Sequence, residues 1–419
     1  QDRVAAGVAK ALGVAAAASV ATGPKGAQAQ ERYLAALGYL QRHQDAASID
    51  AAIELLEKLC AEEETWAPAE AALSRAYLAK RFITRDPSWA DRAREASHRA
   101  ERIDGSLAEV QQTIGRIATA SGDHEAAISA FNRILLGQPA NVEALLGLAD
   151  ALLLAGRAAE AEAAARRAVA SKPSYWVVHN KLGTVLVSSG RVGEAVAAFR
   201  RAVELAPENA RALVNLGSAL VLEGRLEDAA AVLGKSVAAE PTGEALSALG
   251  TVEFYRGRFD EAAAGYEKAV ALSPKLSTLW ANLGDARRWS SSERDRAAEA
   301  YSRAIGAASE ELRINPKDVD AHLALASSYA KTGRSVEAAP HLAAALAASP
   351  ENPDVLYQAA VCEAASGRIR ESADLLGRAR RHGAPVWQIE ADPELRTVRA
   401  STEYRENTVP RGGTKTERR

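Results

Sequence analysis

No methionine occurs anywhere in the 419 residues. With Gln1 in first place, the sequence reads as a fragment, a processed chain or an incomplete sequence. Cysteine is nearly as scarce. Cys60 and Cys362 stand far apart, which argues against a disulfide framework or a cysteine-based metal site and leaves two buried or indifferent thiols. Aromatic residues make up only 5%, whereas hydrophobic residues, many of them alanine, reach 47%. Alanine-rich helices pack closely without large side chains, so this balance suits a long all-helical array. The net charge of -2 gives no reason to expect nucleic acid as a partner. No apolar run approaches the roughly 20 residues that a membrane-spanning helix needs.

Catalytic signatures are missing as well. "GPKGAQ" lacks the spacing and the hydroxyl residue of a phosphate-binding loop. No "HRD", "DFG", "HExxH" or Gly-x-Ser-x-Gly occurs. The seven histidines are scattered, and His179 and His322 share an early repeat position that fits packing at a seam. Glu62, Glu63 and Glu64 end a helix and read as a solvated charge run. The expectation is a chain with no catalytic residue, no cofactor and no metal.

What is present is repetition. Pro139, Pro173, Pro207 and Pro241 are each 34 residues apart; Pro274 follows after 33, Pro316 after 42 and Pro350 after 34. Columns align on them. Leu148, Leu182, Leu216, Leu249, Leu283 and Leu325 fill one column, and Ala149, Gly183, Gly217, Gly250, Gly284 and Ala326 the next. A third is alanine from Ala127 to Ala338, with Ser372 last, and a fourth is large: Phe131, Phe199, Leu233, Tyr266, Tyr301, Leu342 and Leu376. The physical sense is a pair of helices per unit. Apolar residues at helical spacing form the buried stripe. The small column lets helix backbones approach, and the large one fills space between neighbouring units. Gly156, Gly190, Gly224 and Gly257 sit where the first helix ends and tolerate a left-handed cap. The proline ends the second helix. Such a unit cannot bury its apolar face alone and must stack.

Along the chain, residues 1–29 read as an N-terminal helix (residues 1–22) and linker. Residues 30–107 hold irregular repeats, 108–385 regular ones, 386–400 a polar-faced capping helix, and 401–419 a disordered tail. "AKALGVAAAASVATGPKGAQAQ" also has the outline of a weak signal peptide ending in "AQA"; that would place the chain in the periplasm or outside the cell. An ordinary alanine-rich helix in a cytoplasmic protein is the favoured alternative. The helix "AAEAYSRAIGAASEELRINP" is expected to run about two turns longer than its neighbours.

These columns resemble the tetratricopeptide repeat family over residues 31–385. The resemblance implies an all-α, right-handed α-solenoid of about ten helix pairs. "QDRVAAGVAKALGV" looks like the last helix of a TolB-like accessory domain, and "ERYLAALGYL", "SEELRINPKDVDAHLALASSYAKTGR" and "IEADPELRTVRAS" resemble the repeat regions that follow such domains in bacterial signalling proteins. There the array lies C-terminal to a Ser/Thr protein kinase, nucleotide cyclase or winged-helix regulator domain, none of which occurs in this sequence.

The remaining candidate for function is a surface. In such an array the first helices line a concave face. Exposed positions there give Asn180 and Lys181, then Arg211 and Asn215, then Phe254 and Tyr255, then Asn282, Asp285, Arg288 and Trp289. Asn215 and Asn282 hold the position from which members of the family clamp a ligand's backbone, since an amide both donates and accepts. Arg and Lys can hold a carboxylate, and the aromatics can anchor apolar side chains. The groove nearer the N-terminus is more acidic and apolar (Glu143, Asp150, Leu153, Leu154), so an acidic ligand is expected between Lys181 and Arg288. The alternative is that these asparagines satisfy neighbouring helix ends and that Trp289 covers the enlarged hairpin. The reading is a non-catalytic interaction scaffold for a protein or peptide segment, of unknown oligomeric state. Its alternatives are the regulatory region of a signalling kinase or cyclase and, more remotely, the substrate-selecting array of a glycosyltransferase.

Overall fold

The computed structural model describes residues 26–42, 45–84 and 86–408. The helix expected over residues 1–22 and the tail beyond residue 408 lie outside the described residues. Among the described residues, ten helix pairs follow one another: α1 (Ala27–Leu40) with α2 (Ala46–Glu62), α3 (Ala67–Thr84) with α4 (Ser88–Asp104), α5 (Ala108–Ser121) with α6 (His124–Gly137), α7 (Val142–Leu154) with α8 (Ala158–Ser171), α9 (Trp176–Ser188) with α10 (Val192–Leu205), α11 (Ala210–Leu222) with α12 (Leu226–Ala239), α13 (Gly243–Tyr255) with α14 (Phe259–Leu272), α15 (Ser277–Trp289) with α16 (Ala297–Ile314), α17 (Val319–Lys331) with α18 (Ser335–Ala348), and α19 (Pro353–Ala365) with α20 (Ile369–Arg381). The chain is an α-solenoid that divides into two compact units, residues 1–173 and 174–419. Within each unit, helices pack on their own partner and on the next pair.

In the first unit the irregular pairs are held by larger groups than the regular ones. Tyr33 and Trp66 meet with ring centroids 4.6 Å apart, and Ile49, Leu56 and Leu59 are fully buried. The buried Ser74 hydroxyl donates to the Ala93 carbonyl at 2.6 Å, joining α3 to α4. Phe131 rests on two glycines; a Cβ on Gly115 or Gly147 would lie 2.6 or 2.4 Å from its ring.

The second unit holds regular pairs. Four of its first helices start at side-chain caps: Asn209, Thr242, Asp318 and Asn352 each accept from the backbone N–H three residues on. Such caps contribute about 1 kcal/mol apiece. The expected left-handed glycines follow, with φ between 72° and 74° at Gly190, Gly224 and Gly257. The small column works within each pair. A Cβ on Gly183 would lie 2.6 Å from the Phe199 ring, and one on Gly217 would lie 2.5 Å from Leu233. The large residue therefore presses on the bare backbone of its own partner helix before it reaches the next pair. Burying a side chain of that size is worth about 1.5–3 kcal/mol. Ser372 keeps its alanine-type position because its buried hydroxyl donates to the Ala360 carbonyl at 2.7 Å.

Three expectations need correction. Helix α16 has 18 residues where α14 has 14, so it is about one turn longer, not two. The rest of the insertion forms the hairpin, where Arg294–Arg296 make a 3-10 turn. The capping segment is not one helix. It is α21 (Val386–Ala391), a 3-10 turn (Pro393–Leu395) and α22 (Arg396–Ala400). Pro393 cannot donate to a continuing helix, and the Asp392 carboxylate instead receives the Glu394 N–H at 2.8 Å. Finally, Thr402–Thr408 form a helix, α23, packed on α20, in a stretch whose composition predicts disorder. Tyr404, only 7% exposed, anchors it.

Candidate functional site

The first helices α13, α15, α17 and α19 surround a cavity of about 570 Å³ in the second unit. Its walls carry Phe254, Tyr255, Asn282, Asp285 and Trp289 from the expected set, with Lys331 and Tyr357 from later repeats. The remaining side is closed by the segment after the last repeat, through Gln388, Asp392 and Glu394.

The expected residues fall into three groups. Asn180 and Asn215 are joined to each other: the Asn215 amide donates to Asn180 Oδ1 at 2.8 Å. Lys181 is half-buried, and Arg211 is exposed in the first turn of α11. These lie outside the cavity lining. In the second group, side chains are bound by the chain itself. Asp285 accepts from the Tyr301 hydroxyl at 2.7 Å and from Lys331 Nζ at 2.6 and 2.7 Å. Arg288 donates to the Lys331 carbonyl at 3.2 Å, and its guanidinium nitrogens stand 3.3 and 3.4 Å from the Glu394 carboxylate. Phe254 packs edge-on against Phe259 at 5.3 Å, and Trp289 lies 6.3 Å from that same ring. Both aromatics thus support the α13–α14–α15 seam while their edges line the cavity. The third group is Asn282 alone. It is half-buried on the cavity wall, and among the described residues its amide makes no side-chain hydrogen bond.

Tyr255 is the hub. Its hydroxyl is 3.2 Å from that of Tyr357 and accepts from the Gln388 amide at 2.9 Å. Tyr357 in turn donates to Asp392. Burial, reinforced by the Asp392 charge, pushes both phenols above their usual range. Burial also raises the Asp392 carboxyl, against the hydrogen bonds from Tyr357 and the Glu394 amide. At Lys331, burial acts to lower the pKa, but the carboxylates of Asp285 and Glu394 outweigh it and the ammonium is held more firmly charged. Tyr255, Tyr357, Asp392, Asp285 and Lys331 are thus each hydrogen-bonded within the chain, whereas Glu394 Oε2 is buried without a hydrogen-bond partner and faces Arg288 across 3.3 Å.

Trp387, Gln388, Asp392 and Glu394 escape a reading of the sequence. Their only signal is an Asp-Pro step inside a stretch with a tryptophan, and that stretch reads as a plain cap. Cys362 is buried and its thiol is pushed up to about 12 by desolvation. Cys60 is likewise held at about 12. The described residues contain no cluster of three or more His, Cys, Asp or Glu side chains that could hold a metal ion. No helix among them is long and apolar enough to cross a membrane.

Comparison with other proteins follows the same outline. Among solved structures, the thermophilic tetratricopeptide repeat protein TTC0263 from Thermus thermophilus is 28% identical, with 43% of this chain and 98% of that one aligned and a TM-score of 0.39. YrrB, described as having an unusual peptide-binding site, is 21% identical over 43% of this chain and 93% of its own, with a TM-score of 0.33. A chain of the APC/C hetero-tetramer Cut9–Hcn1 aligns over 90% of this chain and 81% of that one at 18% identity, with a TM-score of 0.47. No curated protein matches. The sequence pattern of the tetratricopeptide repeat matches residues 113–175, 180–244, 247–311 and 287–353, and a second tetratricopeptide repeat pattern matches 333–392. With the paired helices, the glycine caps and these matches over more than half of its length, the chain belongs to the tetratricopeptide repeat family.

Proposed function

We propose that this chain is a non-catalytic interaction scaffold, and that its second unit receives a segment of a partner protein on the face made by the first helices. One observation carries this. The cavity there measures about 570 Å³, within the approximate range of 300–1,000 Å³ common for ligand sites, and Asn282 brings an uncommitted amide to its wall. An amide in that position can donate to and accept from an extended backbone whatever its sequence. Arg211, exposed on α11, offers a further charge on the same series of helices. Repeat stacks bind in this way because neighbouring units present a continuous surface.

The test is affinity capture with the intact chain beside Asn282→Ala and Arg211→Glu variants, with helicity checked by circular dichroism. A partner held by the native chain and lost by folded variants supports the first-helix face. A partner held equally by all three moves the site to another surface. The finer reading, a regulatory region of a kinase or cyclase, rests on the sequence resemblance of "ERYLAALGYL" and its neighbours alone. A full-length gene lacking "HRD" and "DFG" upstream would remove its kinase form.

A further inference from the structure

The segment after the last repeat has two sides. On one, Ile389, Leu395 and Val398 are fully buried in the core shared with α19 and α20; that side is a cap. The other side reaches across to first helices far back in the sequence. The Trp387 indole N–H donates to the Leu222 carbonyl at 3.3 Å, and its ring stands edge-on to Tyr255 at 5.4 Å and 85°. The same indole lies against Gly224, where a Cβ would approach it to 2.9 Å. Gln388 donates to the Tyr255 hydroxyl, and Glu394 faces Arg288 across 3.3 Å. These are the contacts a bound peptide makes: an indole against an aromatic ring, an amide on a hydroxyl, a carboxylate on a guanidinium.

We propose that Trp387–Glu394 is a built-in occupant of the first-helix face, and that the partner is a protein segment carrying an aromatic residue and a carboxylate at the spacing of Trp387 and Glu394, which takes Tyr255 and Arg288 in their place. This deepens the scaffold reading and rests on it. Displacement moves only the Trp387, Gln388 and Glu394 side chains and leaves the cap in place, because Ile389, Leu395 and Val398 belong to the α17–α20 core and not to α11, α13 or α15. Trp387 and the Arg288 side chain are only partly buried, the latter 36% exposed, so a competitor can reach both. The incoming segment's charge is also bounded. Asp320 and Asp354 line the same cavity from α17 and α19, so acids other than the one reaching Arg288 are repelled.

The test uses a fluorescent synthetic peptide of residues 384–396, "APVWQIEADPELR", titrated into the full chain. The chains compared are native, Trp387→Ala/Glu394→Gln, and the milder Gln388→Ala. A built-in occupant lowers the fraction of open sites, so the double variant should bind at least about tenfold more tightly than the native chain, with Gln388→Ala between them. Adding Arg288→Glu to the double variant should abolish that gain. Equal binding by native and released chains, all folded by circular dichroism, would overturn the proposal and make the segment a cap only. The two readings fail separately: a captured partner lost on Asn282→Ala but unmoved by excess peptide keeps the scaffold and sinks the built-in occupant.

Discussion

At Gly224 two demands meet in one residue. Its φ of 73° suits glycine, as does the 72° of Gly190. The difference is what surrounds them: a Cβ on Gly190 meets open space, whereas one on Gly224 meets the Trp387 indole at 2.9 Å. Gly190→Ala should therefore cost only the backbone strain, about 1–2 kcal/mol. Gly224→Ala should cost more, and the excess should vanish in a Trp387→Ala background. Thermal melts of the native chain, the three single variants and the double mutant give the coupling directly. An equal loss at both glycines would mean that the indole yields without cost. The sequence makes the cap role of both glycines legible, because the repeat places them at helix ends. The second role of Gly224 is not legible, since its partner lies 163 positions away (387 − 224). The asparagines show the same boundary. Helical spacing puts Asn180, Asn215 and Asn282 on one face, but only coordinates show that the first two bind each other while Asn282 stands apart from them.

Helices α17 and α18 carry a pH-sensitive contact. His322 Nδ1 and His341 Nδ1 are 3.0 Å apart, and Tyr329 stacks on His341 with centroids at 6.0 Å. Arg334 covers the Tyr329 ring at 4.5 Å. Burial, and then the neighbouring His322, depress the pKa of His341. A histidine with a folded pKa below its unfolded value of about 6.5 binds its proton first in the unfolded chain. The folded state is therefore unpenalised above that value and loses stability as pH falls from it toward the depressed pKa. Melting temperature should drop as pH falls below about 6.5, and His341→Gln should flatten the drop; an unchanged slope would assign it to other groups. At this scale the sequence is a good guide to helices and a poor one to their interruptions. Period and proline spacing mark the regular pairs because each unit repeats the same burial pattern. The break at Pro393 and the helix Thr402–Thr408 depend on single side chains, Asp392 as a cap and Tyr404 as an anchor, within polar stretches that composition alone assigns to a plain cap or to disorder.

On the scale of the whole second unit, the repeat pattern encodes neighbours and nothing further. Each column describes how one pair meets the next, so a contact between Trp387 and Leu222 has no trace in it. It arises from the accumulated geometry of the pairs between them. That limit explains why the face was legible and the segment lying against it was not. A stack whose members touch only their neighbours opens from its ends, where one side has nothing to lean on. The indole's bond to Leu222 gives the terminal pair a second attachment, so fraying there first requires that bond to break. Amide hydrogen exchange in α19 and α20 should accordingly be as slow as in α11 in the native chain and faster in Trp387→Ala, with α9 and α10 unchanged. If α19 and α20 exchange fast in both chains, the attachment is too weak to matter. If they are protected as expected, the end of the unit is no longer its least cooperative part. Thermal opening would then have to begin elsewhere along the stack, and the tryptophan would set the order in which the pairs come undone.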